Sequence, residues 1–193
     1  MRGRTALALA GGLLVAVTIA HVTTADPITE VRSPAPVVFV CRNGVAMSVW
    51  SAAYFNRLAA KRGLPEWAAA RASIASFSEV PLNMAFALAV DGFRLAGYRP
   101  EVISAPDVRN AKLVVAIDTD LPPEARESDA ATEVWNGFPP MREEYFPSRA
   151  ALKARVEALV DQLAATHARL HRGTSDPVVH EPADTRREVS LRH

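Results

Sequence analysis

The run Val37-Val38-Phe39-Val40-Cys41 constrains the fold more than any other part of the sequence. A strand that faces water on one side alternates apolar and polar residues. An unbroken apolar run rich in β-branched residues instead fits a strand covered on both faces, as in a parallel sheet. The next segment, "MSVWSAAYFNRLAAKRG", places Ala52, Phe55 and Ala59 on one helical face and ends at Gly63. "WAAARASIAS" is a weaker strand candidate, "AKLVVAID" the clearest second strand, and "ATEVWNGF" a further one. Between them, "VPLNMAFALAVDG" opens with Pro81 and closes with Gly92, which predicts a helix. "PSRAALKARVEALVDQLAATHARLHRG" predicts a long amphipathic helix. Its stripe is Leu152, Val156, Leu159, Val160 and Leu163, and Ser148 is its expected cap. Strands alternating with helices imply an α/β fold: a single three-layer domain with an open, mostly parallel four-stranded sheet and helices on both faces.

The chain has 193 residues, room for one such domain, which we place at residues 37–172. Its 49% hydrophobic and 22% charged content is that of a globular chain. The net charge of +1 provides no overall field to attract nucleic acid or an anionic membrane. A single cysteine excludes an internal disulfide and any zinc site built from several thiolates. The start reads as an export signal: a basic "MRGR", the uncharged "TALALAGGLLVAVTIA", and small residues Thr23 and Ala25 before a cut after Ala25. The alternative is an uncut membrane anchor over residues 5–22. Residues 26–36, with Pro27, Pro34 and Pro36, read as a linker. Residues 173–193 are polar and aperiodic and are expected to be disordered.

Cys41 ends the first strand, residues 42–47 form a turn, and Ser48 is expected to open the helix. A loop wound onto a helix N-terminus gathers backbone N–H groups, and the helix dipole adds positive potential, so an anion can bind without a charged side chain. The same field favours the nucleophilic thiolate of a cysteine at its centre. Asn43 and Gly44 both tolerate the left-handed backbone that a tight cradle requires. Ser48 is placed to hydrogen-bond the thiolate. Ligands of open parallel sheets bind beyond the carboxyl ends of the strands, where Cys41 and Asp118 both fall. By residue type alone, a lone cysteine is also a common small core residue.

"VVFVCRNGVAMSVWSAAYFNRL" resembles the start of the low-molecular-weight protein-tyrosine phosphatases and their arsenate-reductase relatives. These open with an apolar strand, then a cysteine, five residues, an arginine and a serine. "VPLNMAFALAVDGFRLAGYRPEVISAPDVRNAKLVVAID" is similar to the family's second helix, its Gly-x-Arg-Pro-like turn and its strand ending in aspartate. The likeness runs from about residue 36 to about residue 170. It implies Cys41 as the nucleophile, Ser48 as its hydrogen-bonding partner, and an oxyanion loop of Arg42, Asn43, Gly44, Val45, Ala46 and Met47. It implies a phosphate-like oxyanion or a phosphorylated protein as partner; we expect no cofactor, no metal and no nucleic acid.

Two positions depart from that pattern. Met47 stands where the family has arginine, whose fork grips two phosphate oxygens and stabilises the transition state. Arg42 is adjacent to Cys41 but is expected to point outward. Pro139-Pro140, in "VWNGFPPMREEY", stands where the family carries its general-acid aspartate. Glu143, Glu144, Asp118 and Asp120 are nearby carboxylates without the family's spacing. Glu143 and Glu144 also fit a first helical turn, where the dipole favours carboxylates.

Three functions follow from the resemblance: an exported phosphotyrosine phosphatase weakened by these departures, a non-catalytic binding module for an oxyanion or phosphoprotein, or an arsenate reductase using an external thiol. His167 and His171 have a metal-ligand spacing but no third partner, and they equally suit the end of a helix. Trp50, Trp67 and Trp135 are expected in the core or a pocket wall.

Overall fold

A computed structural model of the chain describes residues 26–27 and 35–173. The expected signal segment, most of the linker and the tail from residue 174 lie outside the described residues, as does the side chain of His171. The elements run β1 (Asp26–Pro27), β2 (Val37–Cys41), α1 (Met47–Lys61), β3 (Ala68–Ala72), α2 (Leu82–Val90), β4 (Phe93–Arg94), α3 (Ala105–Asn110), β5 (Leu113–Ile117), α4 (Pro123–Arg126), β6 (Ala131–Trp135) and α5 (Tyr145–Gly173). Strands β3-β2-β5-β6 form a four-stranded sheet, in that order and all parallel. Strands β1 and β4 make a separate two-residue parallel pair.

Every residue of β2 is buried, and the two-residue period divides them between two cores. Val37, Phe39 and Cys41 face a core completed by Val49, Trp50 and Phe55 of α1, Met84 and Leu88 of α2, and Leu152, Val156, Leu159 and Val160 of α5. Val38 and Val40 face a second core with Val108 of α3 and Ala125 of α4. The sheet is thus covered by helices on both sides, as the unbroken apolar run requires.

The strand order also explains where a ligand would sit. From β2 the chain crosses to β3 on one side, then returns past β2 to β5 on the other. Loops at the carboxyl ends of β2 and β5 diverge there and leave a crevice between them. Cys41 lies opposite Ala72 on one side and Ile117 on the other, at the rim of that crevice.

Some local readings shift. Helix α1 starts at Met47, one residue earlier than expected, and its N-cap, Ala46, makes no side-chain cap bond. Helix α5 starts at Tyr145, so Ser148 sits within the first turn instead of capping it; its hydroxyl is buried and unpartnered among the described residues. Strand β3 reads weakly because it is mostly alanine and carries Arg71, only 2% exposed. Arg71 Nη2 pairs with Asp107 at 2.8 Å and with Glu101 at 3.8 Å, which anchors α3 to the sheet. Asp107 also completes a capping box with Ser104. Trp50 and Trp135 are core residues, and Trp67 packs half-buried against the second core. His167 Nε2 lies 2.8 Å from Glu66 Oε1 and ties α5 to the loop before β3.

Candidate functional site

The site begins with the end of β2. Cys41 is only 7% exposed, and its Sγ lies 3.1 Å from the Oγ of fully buried Ser48, on the first turn of α1. The loop between them is anchored through its carbonyls. Cys41 O accepts from Ser73 N at 2.9 Å, Arg42 O from Ile74 N at 3.1 Å, and Gly44 O from the Tyr98 hydroxyl at 2.7 Å. Burial, above all, and the neighbouring Cys41 raise the Tyr98 phenol well above its ordinary range, so it stays a neutral donor.

With the carbonyls held from outside, the amides of residues 43–49 donate to no described backbone carbonyl. The first turn of α1 carries no acidic residue to neutralise them. Uncommitted N–H groups at the start of a 15-residue helix attract an anion through their partial charges and the helix dipole. Gly44 takes the left-handed backbone with φ +64° and presses against β3. Asn43 does not take it; among the described non-glycine residues only Asp118 has a positive φ, at +44°.

A cavity of about 180 Å³ opens over this loop. Cys41, Arg42, Asn43, Val45, Ala46 and Met47 form one side. Ile117 and Asp118 come from the end of β5, and Pro140, Met141, Arg142 and Glu143 from the loop before α5. Of the expected loop residues, Gly44 lies behind the cavity, and Ser48 supports Cys41 from within. Arg42 is exposed and also borders the cavity.

The carboxylates have distinct positions. Asp118 is committed to structure: Oδ1 accepts from Gly137 N at 2.8 Å and Oδ2 from Phe138 N at 3.1 Å, which pins the β6–α5 loop to β5. Asp120 faces a different hollow, beside Thr119 and Arg126. Glu143 and Glu144 precede α5 instead of occupying its first turn; Glu143 lines the cavity and Glu144 does not. Pro140 is in the wall, and Pro139, at the position of the expected general acid, is not. Sequence reasoning missed Ile117, Met141 and Arg142. Residues of "FPPMREEY" come to share a cavity with Cys41 only through the fold.

No family model and no curated protein matches the sequence. Solved structures do match. An arsenate reductase in the phosphate-binding state superposes with a TM-score of 0.52 and 20% identity, covering 66% of this chain and 97% of the other. A YwlE arginine phosphatase, a cysteine-to-serine mutant with a phosphorylated active-site serine, matches at 0.56 and 17% identity, over 66% and 94% of the two chains. The low-molecular-weight protein tyrosine phosphatase of T. tengcongensis matches at 0.51 and 19% identity, over 65% and 97%. The chain has the fold of these phosphatases and reductases. In this phosphatase-like fold the described domain spans nearly the whole of each neighbour, and helices cover both faces of β2, as the alternation of strands and helices implied.

Proposed function

We propose that this chain is an exported, phosphatase-like protein that holds a phosphate or related oxyanion over Cys41 and hydrolyses phosphate esters slowly. The observation that carries this reading is the Cys41–Ser48 contact of 3.1 Å at the base of a loop whose amides have no backbone acceptor among the described residues. In the reaction, the Cys41 thiolate attacks phosphorus, the ester P–O bond breaks, and the departing oxygen takes up a proton. Water then attacks phosphorus, the P–S bond breaks, and the thiolate is restored. Ser48 would donate to the sulfur in each state. One neighbour carries phosphate on its active-site serine and another is in a phosphate-binding state, which supports an oxyanion site in this fold.

Met47 limits the rate. It lines the cavity and packs against the main core, and it offers no donor to the equatorial oxygens where transition-state charge accumulates. Glu143 is the cavity-lining carboxylate free of the Asp118 clamp and is the proposed proton source for a leaving group. Met47 also favours a second reading, a non-catalytic module that binds phosphorylated protein. Turnover of an aryl phosphate by the purified chain decides between them, with Cys41→Ser alongside. The first reading expects slow turnover that Cys41→Ser abolishes. No turnover, with retained phosphate binding, supports the second. Met47→Arg should raise kcat/KM by on the order of 10²–10³. A native kcat on the order of 1–10³ s⁻¹ would overturn the role given to Met47.

Export is part of the proposal and rests on the basic start, the apolar run and the Thr23/Ala25 pattern. Intact-mass analysis of protein from the cell envelope should find a chain beginning at Asp26. A mature chain that retains Met1 would overturn cleavage.

A further inference from the structure

We infer that Arg142 grips the anion from the opposite wall of the cavity, as a binding residue that replaces part of what Met47 cannot supply. This rests on Cys41 lying at an oxyanion site. Arg142 lines the same cavity of about 180 Å³ as Cys41 and Met47. It comes from a loop about a hundred residues away in sequence, on the far side of the crevice between β2 and β5. A guanidinium on a long stem can reach across such a space, and its planar fork suits two oxygens of a phosphate.

Two features hold the backbone of Arg142 at that rim. Asp118 fixes the loop's start through the amides of Gly137 and Phe138. Met141, the residue before Arg142, is only 2% exposed and plugs into the core. The turn that carries Met141 and Arg142 is closed by Glu143 N and Glu144 N, which donate to Pro140 O at 3.1 and 2.8 Å. With residue 141 pointing inward, residue 142 is left at the mouth of the cavity.

The guanidinium is also uncommitted: no ion pair or hydrogen bond joins it to another described residue. By contrast, Arg62 pairs with Asp161, Arg71 with Asp107, Arg99 with Glu79 and Arg149 with Asp91. Arg42, the other cavity-lining arginine, is exposed like Arg142 but leaves the strand end beside Cys41, on the cysteine loop's own side of the cavity. Arg142 and the cysteine loop thus border the same space, where an anion would sit. The apolar residues Val45, Met47, Ile117 and Met141 between them suit the ring of an aryl phosphate. The division of labour is specific: Arg142 strengthens binding, whereas the absent arginine at position 47 limits turnover.

The test is protection of Cys41 from iodoacetamide by inorganic phosphate, in the full chain. Phosphate should protect the native protein. Arg142→Met keeps the bulk of the stem and removes the charge, and should raise the half-protecting phosphate concentration at least about tenfold. Arg142→Lys should recover part of that loss, because a point charge lacks the fork. Arg94→Met, at an exposed arginine of β4 outside the cavity, should change it less than about twofold, within ordinary surface effects. Protection in the native protein that Arg142→Met leaves unchanged would overturn the role of Arg142 and leave the anion site standing. Equal weakening by Arg94→Met would overturn it too, since general charge would then account for the effect. A native protein that phosphate does not protect would overturn the anion site itself and the inference with it.

Discussion

Replacing Gly44 with alanine should harm the domain more than the same change at Gly63, although the two share a backbone conformation, φ +64° and +65°. The left-handed region costs an L-residue about 1–2 kcal/mol. At Gly63 nothing lies within 4 Å of the added Cβ, so that is the whole penalty. At Gly44 the added Cβ would lie 3.0 Å from both Cβ and N of Ala72 and 3.2 Å from its Cα. These atoms belong to the backbone and shortest side chain of β3, with no flexible end to swing away. Ala72 is further fixed by pairing with Cys41 and by its N–H, which donates to Glu101 O at 2.7 Å. Overpacking of this kind adds about 1–3 kcal/mol, for a total of about 2–5 kcal/mol at Gly44. At about 2–4 °C per kcal/mol for a chain of this size, Gly63→Ala should lower Tm by roughly 2–8 °C and Gly44→Ala by roughly 4–20 °C. Calorimetry and urea unfolding of both variants measure the difference directly. Because the loop must move to relieve the contact, Gly44→Ala should also weaken phosphate protection of Cys41, while Gly63→Ala should not. Equal losses of stability in the two variants would refute the claim that the cysteine loop is pressed onto β3.

Other consequences concern buried polar groups. Asp107→Asn leaves Arg71 without its close partner and should cost about 3–5 kcal/mol in urea unfolding at neutral pH. Burial is the largest influence on the Asp107 carboxyl and pushes it up, but bonds from Arg71 and Ser104 together outweigh it and hold the group below the usual carboxylate range. A carboxyl lowered in the folded state contributes stability that is present above its unfolded value of about 3.9 and is lost as pH falls through the folded one. The native protein should therefore lose urea resistance below about pH 4 more steeply than Asp107→Asn; parallel pH profiles would count against the pair. Asp91→Ala should cost about 2–5 kcal/mol and alter Trp50 fluorescence. Asp91 Oδ2 accepts from Trp50 Nε1 at 2.6 Å and from the Tyr145 hydroxyl at 2.7 Å, and it lies 3.0 Å from Arg149 Nε. An unchanged urea midpoint would show that these donors find water instead.

Local chemistry made much of the molecule readable from its sequence. The apolar run of β2 required cover on both faces, and cores on both sides provide it. Cys41, the glycine-bearing turn and Ser48 lie within eight residues, so their neighbourhood is fixed by a strand turning directly into a helix. The stripe on α5 likewise encodes its own buried face, and Leu152, Val156, Leu159 and Val160 are all in the core. What the sequence alone did not determine are the relations between distant segments. An alanine-rich strand with a central arginine looks marginal until Asp107, 36 residues later, supplies the opposite charge at 2.8 Å. An aspartate at the end of β5 looks like a candidate acid until the fold brings Gly137 and Phe138 onto its oxygens. Helix α2 reads as apolar all round, yet only Met84 and Leu88 are buried, and Leu82, Phe86 and Val90 are exposed. The second wall of the cavity, with Met141 and Arg142, joins the cysteine loop only because β5 and β6 lie beside β2 in the order that the crossovers set. Backbone periodicity is a property of neighbours along the chain and is written in a few residues. Which charge meets which, and which loop faces the thiol, depends on strand order and register, and those are settled by the packing of the whole domain.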